Sequence, residues 1–215
     1  MSAPAAASST RERILDAAEL LFAERGLAGT AVRDIATQVN LNPASLYNHF
    51  PSKLALYEAV LERGVRPLLA VLQGVDPAGA TTVGDQVIQA LMEHLGRTPH
   101  LPRLIHHEAA TGGVHLVRLA RLWIRPLIDE ALSVLHQNSE PGVWSEDEYP
   151  LLIEAWLHII IGYFSMAPLL AEVFDGDPLS SESLARQTRF LRKLNLRIVG
   201  PSAEARPESA PEDPQ

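Results

Sequence analysis

Residues 33–53 read RDIATQVNLNPASLYNHFPSK, and their turn chemistry predicts two short helices in close succession. The first is expected over Ala31–Val39, and Asn40 follows it in a turn that needs a residue tolerant of positive φ. Asn42 can then cap a second short helix over Pro43–Phe50, because proline suits the first helical position. Two short helices joined by a tight turn and braced by longer neighbours predict a helix-turn-helix.

A longer helix is predicted on each side of this pair. The upstream helix begins at a capping box formed by Ser9 and Glu12, and it ends at Gly26, which can adopt the left-handed conformation. Its apolar residues recur at the spacing of one buried helix face: Ile14, Ala17, Ala18, Leu21 and Phe22. The downstream helix begins near Lys53, after a break at Pro51.

The pattern stays helical over the rest of the chain, where no strand-like alternation stands out. Glycine and proline divide the sequence into about nine helical segments. Beyond the helix-turn-helix, these segments are expected at residues 53–73, 81–97, 100–110, 114–137, 147–172 and 181–199. The fold class is therefore predicted to be all-α.

The residues of the helix-turn-helix form a specific motif. RDIA at residues 33–36, followed by LYNHFPSK at residues 46–53, resembles the DNA-binding domain of the TetR family of bacterial repressors. The resemblance covers roughly the first quarter of the chain and implies a three-helix DNA-binding domain with a helix-turn-helix at residues 10–52. It also implies a larger helical domain for effector binding and dimerisation at residues 53–200.

The resemblance further implies which residues contact DNA. The second short helix would be the recognition helix in the major groove, and its side chains would divide between base edges and phosphates. Base contacts are expected from Pro43, Ala44, Ser45 and Asn48, phosphate contacts from Tyr47, His49 and Lys53, and either kind from Arg33, with Asn42 completing the set. Two alternatives stay open, because Tyr47 could instead cover the core and His49 could be a packing residue.

The larger domain carries no motif of its own, so its roles also follow from the resemblance. The family places an effector pocket there, and a small hydrophobic or aromatic effector is expected. Candidate effector-binding residues by position and chemistry are His106, Glu108, Arg121, Trp123, His158, Tyr163 and Met166. A homodimer is expected through the last two helices, the second of which carries a stripe near heptad spacing: Leu184, Leu191, Leu194 and Ile198.

The formal net charge of −8 argues at first against a nucleic-acid partner. Residues 10–66 nevertheless carry seven basic and seven acidic side chains, so the negative excess lies outside the predicted DNA-binding helices. The cations available for phosphates are few, and a modest salt dependence of DNA binding is expected. The absence of cysteine excludes disulfides and thiolate metal sites.

The leading hypothesis is a homodimeric, ligand-responsive repressor that binds a near-palindromic double-stranded DNA operator. The alternatives are an enzyme that uses the histidines and acidic residues of the helical domain, and a regulator or activator without a ligand. No nucleophile or phosphate-loop motif supports an enzyme, and neither a catalytic residue, a cofactor nor a metal site is predicted. The apolar run at residues 151–171 is not predicted to span a membrane, because Glu154, His158 and Pro168 interrupt it.

The two ends of the chain differ in composition from the helical part. Residues 1–9 lack the basic start and the long apolar run of a signal peptide, so they are predicted to be a disordered leader of a cytoplasmic protein. Residues 201–215 are rich in proline and acidic side chains and are predicted to be a disordered acidic tail.

Overall fold

The computed structural model of the protein describes residues 9–74, 83–111, 117, 120–138 and 144–198. Within those ranges the chain forms ten α-helices and one π-helical segment and contains no strand, which confirms the predicted all-α fold class. The predicted leader, apart from Ser9, and the predicted acidic tail lie outside the described residues.

The helices follow the predicted order closely. The first six are α1 (Thr10–Gly29), α2 (Val32–Gln38), α3 (Pro43–Tyr47), α4 (Lys53–Gln73), α5 (Val83–Arg97) and α6 (His100–Ala110). A π-helical segment (Ala120–Ile124) then leads into α7 (Arg125–Asn138), α8 (Tyr149–Ser165), α9 (Ala167–Val173) and α10 (Ser181–Ile198). The short helix α3 ends at Tyr47, three residues earlier than predicted, and Asn48 is its C-cap.

The helix predicted over residues 147–172 is two helices in the structure. The chain leaves the helical path at Met166, and the axes of α8 and α9 differ by 69°. Pro168 lies in the first turn of α9, where proline is tolerated, whereas within one continuous helix it would remove a hydrogen bond. In the part of the chain that the structure describes, no single helix is long and apolar enough to cross a membrane, and only α8 and α9 taken together reach that length.

The chain divides into two compact units. Unit 1 comprises the residues up to Pro67 together with Thr98–Arg125, and unit 2 comprises Leu68–Arg97 together with the residues from Pro126 onward. This division differs from the predicted domain boundary after residue 52, because α6 packs against α1 and contributes the fully buried Leu104 to the core of unit 1. The helix α6 therefore belongs with the N-terminal helices.

The core of unit 1 is built on the predicted apolar face of α1. All five of its predicted members are buried, and the ring of Phe22 meets Tyr57 of α4 edge to face, with 5.0 Å between the ring centroids. Ser9 caps α1 as predicted, since its hydroxyl accepts a hydrogen bond from the backbone N–H of Glu12 at 3.2 Å. Gly26 has the expected positive φ of 67°, but the helix resumes beyond it and ends at Gly29.

A buried hydrogen bond joins α4 to α6 within this core. The hydroxyl of Tyr57 donates to Oε2 of Glu108 at 2.6 Å, and both side chains are buried. Burial raises the pKa of Tyr57, and the neighbouring carboxylate raises it further. The phenol thus stays protonated as the donor that a buried carboxylate requires.

Unit 2 is organised around the packing of α10 on α5. Leu191 is fully buried, and Leu184 of the same stripe lies against Gly96 of α5. Arg192 donates to Oδ2 of the buried Asp85 at 2.9 Å, which ties the two helices together. Of the leucine stripe of α10, expected at a dimer seam, Leu191 is therefore buried within its own chain, whereas Leu184, Leu194 and Ile198 are half-buried.

Replacing Tyr57 by phenylalanine tests the buried hydrogen bond of unit 1. The variant leaves the buried carboxylate of Glu108 without this donor, so the free energy of unfolding should fall by about 1–3 kcal/mol. Urea denaturation followed by circular dichroism measures the change. The exposed Tyr47→Phe is the matched control and should change stability by less than about 0.5 kcal/mol. Equal effects of the two variants would contradict the assignment.

Candidate nucleic-acid interface and cavity

The turn between α2 and α3 has the geometry that the sequence predicts. Asn40 has a φ of 58°, and the backbone N–H of Leu41 closes the turn by donating to the carbonyl of Ala36 at 2.8 Å. Asn42 caps α3, because its Oδ1 accepts from the backbone N–H of Ser45 at 2.7 Å. Pro43 occupies the first helical position, so this short helix has a fixed start.

Two apolar side chains hold α3 against unit 1. Leu46 and Phe50 are both buried in the core that α1, α2 and α4 share. The predicted DNA-binding residues of this segment then face outward: Asn42, Pro43, Ala44, Tyr47, Asn48 and His49 are exposed, and Ser45 is half-buried. Tyr47 is 47% exposed and His49 is exposed, so neither side chain is a core residue.

Most cations of the N-terminal helices already interact with protein groups. The guanidinium of Arg63 lies 3.3, 2.7 and 2.6 Å from carboxylate oxygens of Glu12, Asp16 and Glu19 on α1. Burial opposes the charge of Arg63, but the hydrogen bonds to Glu19 and Asp16 outweigh it and raise its pKa. Arg25 likewise forms an ion pair of 3.1 Å with a carboxylate, that of Asp34 on α2.

Lys53 and Arg33 differ sharply in what they contact. The ammonium of Lys53 donates to the backbone carbonyls of Leu27 and Thr30 at 2.7 and 3.0 Å, so it links the start of α4 to the end of α1. The side chain of Arg33 is exposed on α2, and the described residues give its guanidinium neither a hydrogen bond nor an ion pair. Arg33 is thus the predicted DNA-binding cation whose charge the fold leaves available.

Unit 2 contains a cavity of about 160 Å³. Its walls come from the last turns of α4 and from α5, α7, α8 and α10, and they are aliphatic apart from Trp156 and Asn195. Representative lining residues, one from each wall in chain order, are Leu68, Ile88, Leu127, Ile160 and Asn195. A space of this size and polarity suits a small apolar molecule.

Asn195 is a functional candidate that the sequence analysis did not single out. Its side chain is 7% exposed and lies against Gly84, where any Cβ would collide with the carboxamide. The sequence offers one signal in retrospect: an amide stands among leucines and isoleucine on the inward face of α10, where an apolar residue is expected.

None of the six predicted effector-binding residues whose side chains the structure describes lines this cavity. His106, Glu108 and Arg121 belong to unit 1, where Glu108 is bonded to Tyr57 and the other two side chains are exposed. The other three with described side chains belong to unit 2 but lie outside the cavity lining: His158, Tyr163 and Met166. The side chain of Trp123 lies outside the described residues.

Within unit 2, Tyr163 and His158 bond to the backbone. The hydroxyl of Tyr163 donates to the carbonyl of Pro178 at 2.5 Å, and burial raises its pKa. Nδ1 of His158 lies 2.8 Å from the carbonyl of Glu154, one turn earlier in α8. Across the ranges that the structure describes, no three histidine or acidic side chains are grouped as a metal site requires.

The N-terminal module matches known regulatory proteins. Residues 14–60 match the family described as "Bacterial regulatory proteins, tetR family". Over 48 residues the chain is 50% identical to "Biofilm operon icaADBC HTH-type negative transcriptional regulator IcaR" of Staphylococcus aureus, which is 22% of this chain and 26% of that protein. Over 54 residues it is 48% identical to "HTH-type transcriptional repressor KstR2" of Rhodococcus jostii, or 25% and 26% of the two chains. The chain thus aligns with 26% of the length of these curated relatives.

The likeness to a solved structure extends over nearly the whole chain. A protein described as a transcriptional regulator, SCO4942 of Streptomyces coelicolor, is 27% identical and has a TM-score of 0.58. The match covers 86% of this chain and 98% of that one, so the two proteins share the helical fold beyond the helix-turn-helix. Residues 14–60, with the geometry of α2 and α3, thus form a helix-turn-helix module that matches the tetR family of bacterial regulatory proteins.

Proposed function

We propose that the protein is a homodimeric transcriptional repressor that binds a near-palindromic DNA operator and is released by a small hydrophobic effector. One observation carries the proposal: α3, anchored by Leu46 and Phe50, presents a polar outer face within the segment that matches the family. The relatives are described as regulators, which favours this function over the enzyme that the histidine content left open.

DNA recognition would use the outer face of α3 in the major groove. The carboxamide of Asn48 can pair with adenine, and the apolar surfaces of Pro43 and Ala44 can contact thymine methyl groups. The hydroxyl of Tyr47 and the guanidinium of Arg33 suit phosphates, which fix the position of the helix without reading sequence. Lys53 would contribute to this surface chiefly by holding α4 to α1, since its ammonium already donates to two carbonyls.

Dimerisation would use exposed apolar residues of unit 2. Leu151 on α8 is 59% exposed, and Phe190 on α10 is 56% exposed. Leu169 and Val173 on α9 are exposed as well, so three successive helices carry large apolar side chains that their own chain does not cover. A second copy of the chain is the partner that fits, because one operator with two related half-sites requires two recognition helices.

Effector release would operate through the cavity of unit 2. A molecule bound among the aliphatic side chains would favour one conformation of the dimer over another, to the extent of its different affinities for the two. The alternative of a regulator without a ligand predicts that filling the cavity leaves DNA binding unchanged.

Substitutions on α3 test base reading against phosphate contact. Binding sites are first selected with the full-length protein from a pool of randomised duplexes, and near-palindromic sites are expected. Asn48→Ala should then relax the preference at one base position of each half-site, at a cost of about 1–3 kcal/mol. Tyr47→Ala should weaken binding to all sequences alike. If both variants bind the selected sites in gel shifts as tightly and selectively as the wild type, α3 is not the recognition helix.

The salt dependence of DNA binding tests the role of Arg33. A plot of log K against log [salt] should be shallow for the wild type, and Arg33→Gln should flatten it by about 0.9 for each phosphate that the guanidinium neutralises. Arg97→Gln is the matched control, because Arg97 is exposed on α5 in unit 2, away from α3 in the sequence. Parallel plots for Arg33→Gln and the wild type would show that Arg33 binds no phosphate.

Charged substitutions in the exposed apolar residues test the dimer. Leu151→Glu combined with Phe190→Glu should convert a dimer into a monomer in sedimentation equilibrium and weaken operator binding at least tenfold, since the advantage of two linked half-sites disappears. Leu122→Glu changes an equally exposed leucine of unit 1 and should leave the dimer intact. A wild-type monomer at micromolar concentration would refute the homodimer.

A further inference from the structure

We propose that the cavity of unit 2 takes an uncharged molecule about the size of one substituted benzene ring, whose single hydrogen-bonding group meets the carboxamide of Asn195. This inference rests on the effector response proposed above and specifies the chemical class of the effector. Three properties support it: the size of the cavity, the apolar character of its walls, and the carboxamide of Asn195, which has no hydrogen-bond partner among the described residues.

The size of the cavity limits the ligand. An engineered protein cavity of about 150 Å³ with aliphatic walls binds benzene, and the cavity here is about 160 Å³. One ring with one or two small substituents fits that space. Larger effectors, such as fused polycyclic molecules, would require the helices to move apart.

The walls of the cavity disfavour a charged ligand. None of the lining side chains is ionisable, and apart from the indole of Trp156 only Asn195 carries a polar side-chain atom. Asp85 and Arg192, on two of the helices that form the cavity, pair with each other at 2.9 Å and do not line it. A carboxylate or an ammonium placed against these walls would therefore have no charged partner among the lining residues, which disfavours a charged ligand.

The carboxamide of Asn195 is a polar group in an otherwise mainly aliphatic cavity wall. Its side chain is more than nine-tenths buried and lines the cavity, and none of the described residues forms a hydrogen bond with it. A largely buried polar group without a protein partner is stabilised by a ligand or a water that completes its hydrogen bonds. A carboxamide both donates and accepts, and an alcohol, a phenol, a ketone or an amide would each complete it.

Three probes of matched shape test the class. The full-length protein is titrated by calorimetry at pH 7 with 4-methylphenol, with toluene and with 4-methylbenzoate. We expect 4-methylphenol to bind about three- to tenfold more tightly than toluene, as one net hydrogen bond provides, and 4-methylbenzoate not to bind. Equal affinities of 4-methylphenol and 4-methylbenzoate, or no binding of any probe at millimolar concentration, would overturn the proposal.

Variants of Asn195 assign the preference to this side chain. Asn195→Leu keeps the approximate shape and should bind 4-methylphenol and toluene equally, and Asn195→Ala repeats the comparison if the leucine variant does not fold. Gln187→Leu, also on α10 but outside the cavity lining, is the matched control and should keep the wild-type preference. Retention of that preference by the Asn195 variants would overturn the assignment.

Titrating the protein with the three probes in the absence of DNA tests this inference separately from the proposed function. The titrations need no operator, and gel shifts on the same preparations report DNA binding independently. If the probes bind in the expected order but the protein ignores DNA, the repressor function fails and the assignment of the cavity stands. If the protein binds its operator but the order of the probes is wrong, the assignment fails alone.

Discussion

The burial of Leu46 and Phe50 is the constraint on which the candidate DNA interface depends. A five-residue helix has no stability of its own, since isolated helices shorter than about 12–15 residues are marginal in water. The direction of α3 is therefore set by these two side chains in a core that also contains Leu104 of α6. The helix α6, which begins at His100, thus helps to position α3 although it lies about 50 residues later in the sequence. The polar face of α3 is held in place by this packing.

The charged side chains of unit 1 mainly contact other groups of the same unit and so stabilise it. Glu12, Asp16 and Glu19 gather around Arg63 and join α1 to α4, whereas Lys53 joins the same two helices through backbone carbonyls. Partly buried, charge-assisted contacts of this kind hold long helices in a fixed arrangement. They also use most of the cations that a more basic module would offer to phosphates. The neutral balance seen in the sequence is thus a structural property of the module as well as an obstacle to tight DNA binding.

The N-terminal helices could be predicted because their caps and turns depend on residues close together in the sequence. The packing of helices that are distant in the sequence was less predictable. The positive φ of Asn40, the cap at Asn42 and the buried face of α1 follow from residue types at short spacing, and all three are found in the structure. The place of α6 in unit 1 and the burial of Leu191 against its own chain depend on which helices meet, which periodicity does not encode. The predicted effector residues are mostly polar or aromatic, whereas the cavity is lined mainly by aliphatic side chains that resemble an ordinary core. A single amide among the apolar residues of a basic helix is a weak signal for a site until its burial is known.

The isolated charge of Arg33 has a consequence for control. A repressor with many phosphate contacts would hold DNA so firmly that only an effector with a large difference in affinity between conformations could release it. Small molecules bind with limited free energy, at most about 1.5 kcal/mol per non-hydrogen atom in the best cases. In the proposed function, few phosphate contacts and a cavity for one small ring would suit each other, because weak binding to the operator would let a ligand of modest affinity release it.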